Sequence, residues 1–349
     1  MSILINLIVF IIVLSIIVAV HEFGHFIFAK ITGVYVYEFA IGMGPKIWGI
    51  KKGETEYTIR AIPIGGFCQL AGEDLDTDDS AKIPKGRRLQ DKNPWQRFLI
   101  MVFGPMNNFI LAVIILFFMA LIWGARPMDP VITSVEKDSA AYKAGLQDED
   151  YIVEINGKKI KTSDDISLYL AVAKDKKNTV FKVKRDGSYK TIKVTPEKVK
   201  SGKDTYYKYG ISMNSERERG IISTIVFTYK KTVSIFKQMF ITVGYLITGG
   251  IKLNQLSGPV GIYSVVGESR SAGLESVLYL MAFLSINVGF INLLPIPAFD
   301  GGHILFIIIE LIKGSPVNPE LENKIHTVFL ILLMILMLFV TFNDILRLF

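Results

Sequence analysis

Two residue types that often build covalent or metal-bound structure are scarce in this sequence of 349 residues. The single Cys68 excludes an internal disulfide, and we interpret it as a small buried hydrophobe rather than as a lone thiolate ligand. Histidine occurs only four times, so two histidines at metal-ligand spacing are a notable feature of this chain.

Charge is missing from the start of the chain, where no side chain from Met1 to Val20 is charged. Half of all residues are hydrophobic and the mean hydropathy is +0.40, which is too apolar for an ordinary soluble protein. The first apolar run also lacks a basic segment before it and a small-residue cleavage site. We therefore expect a membrane-spanning helix over residues 3 to about 31, not a cleaved signal peptide.

Neither nucleic acid nor calcium is favoured as a partner. The net charge of +7 comes from Lys and Arg spread over loops and one hydrophilic block, which attraction to a membrane surface explains more simply than nucleic-acid binding. The acidic run over residues 73–79 lacks the spacing of an EF-hand, and we expect a solvated loop there.

A His-Glu-x-x-His motif occupies residues 21–25 inside the first apolar run. A helix places His21 and His25 one turn apart on the same face, where the two imidazoles can bind one zinc ion. Glu22 then lies beside the metal as a candidate general base. Two incidental histidines are the alternative, but polar groups at membrane depth are costly unless a partner satisfies them.

Three further apolar runs predict three more spanning helices. Basic residues from Arg87 to Arg97 flank the second run, which marks that side as cytoplasmic. The 221–251 segment is mostly apolar but contains three lysines, so it could also lie in the membrane interface or re-enter the membrane. The three runs are residues 98–123, 276 to about 300, and 327–342.

Polar stretches between these helices predict two regions rich in strands. Alternating residues over 35–41, 46–50 and 55–62 predict short strands with at least one hairpin, close to the membrane. Residues 126–218 show a strand, helix and strand pattern that predicts one small α+β domain. A turn is expected at 257–262. The chain therefore divides into the first two helices with the strands between them (1–125), the α+β domain (126–218), an interfacial or amphipathic linker region (219–275), and the third and fourth helices (276–349).

Asp300 is the natural third metal ligand. It follows Pro295 and Pro297, which break the third helix, and broken helices are where membrane proteins place polar sites. Catalytic zinc sites commonly use two histidines, one carboxylate and an open position, although a helix-capping role is the alternative. We expect His303 to lie near the site or at the interface, and His326 to be an interfacial residue without chemistry.

The positions of the ligands constrain the topology. Asp300 lies about 24 residues into the third helix, and the motif histidines lie late in the first, so the two helices must run in the same direction for the ligands to meet. An even number of crossings must then precede the third helix. This predicts four spans with both ends outside, and an interfacial or re-entrant 221–251 segment.

The motifs in combination resemble the bacterial site-2 protease family, the intramembrane zinc proteases of the regulator-of-sigma type. The resemblance covers nearly the whole chain and rests on four motifs in the family's order. They are H-E-F-G-H at 21–25, G-P-M-N-N-F at 104–109, S-G-P-V-G-I at 257–262 and N-L-L-P-I-P-A-F-D-G at 292–301.

This resemblance implies zinc (Zn²⁺) bound by His21, His25 and Asp300, with Glu22 as the catalytic acid and base. It implies substrate-binding or oxyanion roles for Asn292 and Asn108, and pairing of the early strands with an unwound substrate. The 126–218 block resembles a single PDZ domain facing outside, where some relatives carry two. Its residues Tyr209, Gly210 and Ile211 resemble a peptide-binding groove.

The predicted function is intramembrane endoproteolysis of single-pass membrane proteins, such as trimmed anti-sigma factors or remnant signal peptides. The predicted location is the plasma (inner) membrane, in contact with lipid, with the active site toward the cytoplasmic side. A non-catalytic scaffold that binds partners through its PDZ domain is the alternative, but a structural metal site does not require Glu22 beside His21. A metal transporter is disfavoured because further carboxylates and histidines along a path are lacking.

Overall fold

The computed structural model describes residues 2–73, 83–172, 178–201, 204–213, 216–250 and 256–348. Most of the acidic run at 73–79 therefore lies outside the described residues. The chain divides into two compact units, the first formed by Met1–Ile115 with Asn254–Phe349 and the second by Leu116–Leu253.

The first unit is built mainly from helices. Among the described residues, four helices are long and apolar enough to cross a membrane, which agrees with the predicted number. The second of them, α2, begins in the first unit and extends into the second. The helices of the first unit are α1 (Ser2–Ile31), α2 (Pro94–Trp123), α6 (Pro259–Ala272), α7 (Leu274–Leu293), α8 (Asp300–Lys313) and α9 (Pro319–Leu348). The four candidate spans are α1, α2, α7 and α9.

Two long strands, β1 (Val36–Lys52) and β2 (Thr55–Leu70), form an antiparallel hairpin. They exceed the short strands predicted, since β2 continues through Pro63 and through Gly65, whose φ is +83°. The register places residues 38–41 opposite both 56–59 and 66–69, so the first part of β1 has a neighbour on each side. The strand β2 lies against α1, and near its end it brings the backbone amide of Cys68 to the motif helix.

The segment predicted as a turn at 257–262 is instead the start of α6. Gly258 precedes the helix and Pro259 is its first residue, where the missing N–H of proline costs nothing. The amides of Gly258 and Gly261 both donate to Oδ2 of the buried Asp344 on α9, at 2.8 Å each. A carboxylate at a helix N-terminus is favoured by the orphan amides and the helix dipole, which explains the difference from the prediction.

Glycines allow α1 and α2 to approach closely at the motif. A Cβ at Gly24 would lie 2.1 Å from the carbonyl oxygen of Phe103, and a Cβ at Gly104 would lie 2.2 Å from Nε2 of His25. Both distances are far below van der Waals contact. The helix α2 remains continuous through Pro105.

The second unit is α+β, as the sequence pattern predicts. Its sheets have the strand orders β5-β4-β6-β7, β10-β3 and β8-β9. Its helices are α3 (Ala140–Ala144), α4 (Ser163–Val172) and α5 (Ile221–Ile247). Its strands are β3 (Ile132–Val135), β4 (Tyr151–Ile155), β5 (Lys158–Lys159), β6 (Thr179–Arg185), β7 (Ser188–Val194), β8 (Glu197–Ser201), β9 (Asp204–Lys208) and β10 (Ile211–Met213). Ile152, Ile166 and Phe181 are fully buried in its apolar core.

Ion pairs connect α5 to α4 within this second unit. Lys231 donates to Asp164 at 2.8 Å, and Lys237 donates to Asp165 at 2.7 Å. The α5 helix is not among the four candidate spans of the described residues. Its lysines therefore bind the α+β domain, while the interfacial position predicted for α5 stays a prediction.

Candidate active site

The two motif histidines occupy the same face of α1, one turn apart, as an i,i+4 pair in a helix must. Both are buried, with relative exposures of 7% for His21 and 8% for His25. Their Nε2 atoms are 3.2 Å apart. Because these nitrogens point at each other rather than at solvent, the pair offers two ligand atoms to one ion.

Asp300 completes this group from a distant part of the sequence. The α7 helix ends at Leu293, and Asp300 is the first residue of α8. Gly301 allows the sharp connection, since a Cβ there would lie 2.0 Å from the carbonyl oxygen of Leu294. Asp300 Oδ2 lies 3.1 Å from His21 Nε2 and 3.4 Å from His25 Nε2.

These three separations fit a tetrahedral metal centre. Bonds of about 2.05 Å at tetrahedral angles place ligand atoms about 3.3 Å apart, which is close to the observed 3.1, 3.2 and 3.4 Å. Asp300 Oδ2 is buried and makes no hydrogen bond within the described part of the chain. A cation would satisfy that oxygen. His21, His25 and Asp300 can therefore bind a divalent metal, with a fourth position left for water or substrate.

Residues of α2 contact the outward-facing nitrogen of each histidine. Nδ1 of His25 lies 2.9 Å from the carbonyl oxygen of Ile100, to which it can donate its hydrogen. The side-chain amide of Asn108, which is fully buried, lies 3.4 Å from Nδ1 of His21. The carbonyl of Ile100 selects the tautomer that leaves Nε2 of His25 free as a ligand, and an acceptor at Nδ1 is needed to do the same for His21.

Glu22 lies next to His21 in the motif and lines the same cavity as His21, His25 and Asp300. Its Oε2 accepts a 3.0 Å hydrogen bond from the backbone N–H of Cys68 on β2. The carboxylate is thus held by a strand of the hairpin, although Cys68 is 46 residues away along the chain. The Cys68 thiol is free and buried, and burial raises its pKa, which favours the neutral hydrophobe over a thiolate ligand.

A cavity of about 600 Å³ opens from these side chains. A charge pair lines it, in which Arg60 donates from two nitrogens to Glu38. Burial alone would raise the pKa of Glu38, but hydrogen bonds from Arg60 and Thr58 outweigh burial and hold that pKa below its usual value. No sequence motif indicates this pair, because the hairpin register alone brings the two residues together. The lining residues are His21, Glu22, His25, Glu38, Arg60, Phe67, Cys68, Gln69, Leu70, Glu73 and Asp300.

The other predicted site residues are not among those that line this cavity. Asn292 is half-buried on the last turn of α7 and is not among the residues that line this cavity. Asn108 contacts His21 and likewise does not line the cavity, which supports a positioning role more directly than the predicted contact with substrate. Tyr209, Gly210 and Ile211 belong to the second unit, where Ile211 pairs with Val135.

Comparison with known proteins gives the family. The profile of Peptidase family M50 matches residues 9–336. The regulator of sigma-W protease RasP of Bacillus subtilis (strain 168) is 35% identical over 420 aligned positions, which cover 99% of each chain. A putative zinc metalloprotease of Clostridium perfringens (strain 13) is 39% identical over 333 residues, covering 95% of this chain and 96% of that one. A putative zinc metalloprotease of Staphylococcus aureus (strain COL) is 35% identical over 432 positions, covering 100% of both.

The chain therefore belongs to Peptidase family M50, and its predicted membership of the site-2 protease family is confirmed. The predicted enzyme class, a metalloendopeptidase, is confirmed as well. The alignments with the Bacillus and Staphylococcus proteins are longer than the 349 residues of this chain, so those relatives carry insertions that this chain lacks.

Proposed function

We propose that this protein is an intramembrane zinc endopeptidase that cleaves the transmembrane segments of single-pass membrane proteins, such as trimmed anti-sigma factors or remnant signal peptides. The observation that carries the proposal is the position of the Glu22 carboxylate beside a possible metal site. In that site the buried His21 and His25, on a helix apolar enough to span a membrane, meet the partly buried Asp300. The names of the relatives, which include zinc metalloproteases and a regulator of sigma-W protease, support the cofactor and the reaction.

Zinc is the metal that this donor set fits best. Two imidazole nitrogens and one carboxylate oxygen with an open fourth position are the ligands of many catalytic zinc sites. His21, His25 and Asp300 would bind the ion. Zinc supplies Lewis-acid chemistry, which polarises a peptide carbonyl and makes water a better nucleophile near neutral pH.

The residues of the chain transfer the protons and orient the catalytic side chains. Glu22 takes a proton from the attacking water and delivers it to the leaving amine, and general acid and base catalysis of this kind contributes about 10²- to 10⁴-fold. The N–H of Cys68 keeps the Glu22 carboxylate directed at the cavity. Asn108 and Ile100 hold the two histidine rings on their outer nitrogens.

The substrate must become extended, because a helix hides its amides in internal hydrogen bonds. The end of β2 lies beside Glu22 and lines the cavity through residues 67–70, so an unwound segment that pairs with this strand would pass the cleavage residues. We therefore propose β-strand addition as the mode of substrate binding, and expect residues that break helices to promote cleavage.

We propose that the α+β domain at 126–218 is an extracytoplasmic PDZ domain that controls substrate access. Three features support this. The β10 strand pairs with β3 on one side only within the described residues, which leaves an edge for an extended peptide. Gly210 has φ +78°, and a Cβ there would lie 2.2 Å from Cβ of Ser139. Tyr209, which precedes Gly210, is held in place because its hydroxyl lies 2.7 Å from Oγ1 of Thr179.

The test is cleavage of a truncated single-pass substrate by purified protein in liposomes, with zinc measured on each variant. We expect wild type to cut, and Glu22→Gln to keep zinc while losing at least about 100-fold in rate. Asp300→Asn should lose both zinc and activity, because a neutral amide is a poor replacement for the carboxylate ligand.

Glu197→Gln, which makes the same chemical change at an exposed position of the second unit, is the matched control and should behave as wild type. Full activity of Glu22→Gln would remove the general base from the mechanism. Wild type without zinc and without activity would instead favour the scaffold alternative.

A further inference from the structure

A second group of metal-ligating side chains lies outside the active site. It contains His303 on α8 together with Glu322 and His326 on α9, so the chain's four histidines divide evenly between two clusters. Glu322 and His326 are an i,i+4 pair and share one face of α9. Three ligand residues thus come from two helices that are adjacent in the chain.

The distances in this cluster suit a metal ion. Nδ1 of His303 lies 3.3 Å from Oε1 of Glu322, and Nε2 of His326 lies 3.8 Å from the same oxygen. One ligand atom from each residue lies within 4.8 Å of the other two. The 3.8 Å separation is looser than the about 3.3 Å edge of a tetrahedral zinc site, so binding requires the partly exposed side chains to draw together.

In the part of the chain that the structure describes, the ion pair between His303 and Glu322 leaves one nitrogen of this cluster without a hydrogen bond. Nε2 of His326 is buried and has no hydrogen-bond partner within the described residues. The two imidazole rings are also stacked, with centroids 4.1 Å apart and planes 21° apart, and both approach a single carboxylate oxygen. Two histidines that share one carboxylate gain more from a shared divalent ion, which gives a partner to both facing nitrogens, Nδ1 of His303 and Nε2 of His326.

Solvent reaches the cluster. The side chains of His303 and Glu322 are 33% and 26% exposed, and both line a cavity of about 340 Å³. The other charged residues that line this cavity are Glu73, Lys92, Arg97 and Glu310. Arg97 and Glu310 pair with each other at 2.6 Å, so the Arg97 guanidinium does not compete with a cation for Glu322.

We propose that His303, Glu322 and His326 form a second divalent-cation site that binds zinc or a metal of similar ligand preference. Its two nitrogen ligands and one carboxylate select zinc over calcium or magnesium, which prefer oxygen. The ion joins the first turns of α9 to α8, whose first residue is Asp300, and so restrains the helix that carries the third ligand of the active site. The proposal does not depend on the proposed function, since the two sites share no ligand.

The first test counts metal on the full chain. Purified protein is dialysed against buffered zinc and its content measured, and we expect two equivalents in wild type and one in Glu322→Gln. Removal of a ligand should weaken the second site by more than the about 10- to 100-fold that loss of an outer hydrogen-bond partner causes. Glu320→Gln changes an exposed carboxylate on the same turn of α9 and should keep two equivalents.

A cysteine variant keeps the proposal testable if Glu322→Gln fails to fold. His326→Cys replaces one zinc ligand by another, and cobalt bound to it should show the near-ultraviolet charge-transfer band of a cobalt–thiolate bond. Wild type lacks a thiol in this cluster and should not show the band.

One zinc equivalent in wild type at saturating zinc, equal zinc content in wild type and a folded Glu322→Gln, or no thiolate band in His326→Cys would each overturn the second site. A protein that cuts substrate but holds one zinc refutes the second site alone. A protein that holds two zinc ions, loses one in Glu322→Gln and cannot cut refutes the proposed function alone.

Discussion

The orientation of His21 depends on a residue 87 positions away. Ligation through Nε2 requires a hydrogen on Nδ1, and that hydrogen needs an acceptor. Nδ2 of Asn108 is the atom that lies 3.4 Å from Nδ1 of His21, while Oδ1 is buried and has no hydrogen-bond partner among the described residues. A half-turn of this amide directs Oδ1 at the ring, which satisfies Oδ1 and gives the hydrogen on Nδ1 its acceptor. The same logic applies to His25, whose Nδ1 faces the carbonyl oxygen of Ile100.

We therefore expect Asn108→Leu to lower zinc affinity by about 10- to 100-fold, as loss of an outer-shell partner commonly does. Asn108→Asp keeps an acceptor of the same shape and should retain most of the affinity. Zinc titration of both variants against a competing chelator checks this. Equal affinity in Asn108→Leu and wild type would show that Asn108 does not position His21.

Sequence alone reveals some of these residues and not others. The spacing of His21 and His25 is local, so helical periodicity is sufficient to place them on one face. The third ligand could be proposed because Asp300 follows a proline-broken helix. The contacts of Glu22 with Cys68, of Arg60 with Glu38 and of His303 with Glu322 depend on tertiary packing that no short motif records.

At the scale of elements, the site exists because α1 and α2 come very close together. Gly104 faces His25 directly, and no side chain fits between them. Gly104→Ala should push the helices apart or displace the imidazole, at a cost of roughly 1–3 kcal/mol. We expect zinc affinity to fall by about 5- to 150-fold, measured by the same chelator competition.

Gly244→Ala is the matched control, because a Cβ there meets nothing within 4 Å and the residue lies inside the α5 helix. This variant should keep the affinity of wild type. A Gly104→Ala protein with wild-type zinc affinity would contradict the close-contact argument.

Charge pairs hold the turn of the hairpin in place. Glu54, at the turn between β1 and β2, accepts hydrogen bonds from Arg87 and also from Lys30 at the end of α1. The hydrogen bonds from Arg87 are the main cause that lowers the pKa of Glu54 to about 2, with Lys30 adding to the effect. A lowered pKa means that the ionised group stabilises the folded hairpin.

This stabilisation should be complete above pH about 4.5 and disappear as the pH falls toward 2. Amide hydrogen exchange at residues 51–56 checks it: the protection lost in Glu54→Gln relative to wild type should be large at pH 6 and should shrink steadily below pH 4.5. Glu56→Gln breaks an exposed pair with Lys46 and should cost less than about 1 kcal/mol. A difference for Glu54→Gln that does not change with pH would contradict the assignment.

Element boundaries were harder to predict than element types. The glycines and proline at 257–262 predicted a turn, yet the residues from Pro259 onward form a helix. The deciding partner, Asp344, lies 86 residues further along the chain from Gly258. The prediction also ended the second hairpin strand near Pro63, whereas contact with α1 extends β2 to Leu70. In both places tertiary contacts outweighed local propensity.

For the whole molecule, the ligands of the site constrain the topology. His25 lies near the end of α1, and Asp300 follows the end of α7, so the two spans must reach the same side of the membrane for the observed 3.4 Å contact to form. Among the described residues, one candidate span, α2, separates them in the chain and would return it to the starting side. We therefore expect the hairpin at the end of α1 to face the cytoplasm and residues 126–218 to face outside.

Single-cysteine labelling tests this arrangement, because the only native thiol is buried. Lys51→Cys places an exposed thiol at the tip of the hairpin, and Ser188→Cys places one at the exposed turn between β6 and β7. In intact cells, a maleimide that cannot cross membranes should label Ser188→Cys at once and Lys51→Cys only after permeabilisation. The reverse pattern would place the α+β domain in the cytoplasm, where it could not select substrates by their outer part. Equal labelling of both before permeabilisation would mean that α1 and α2 do not form the paired crossing on which the site depends.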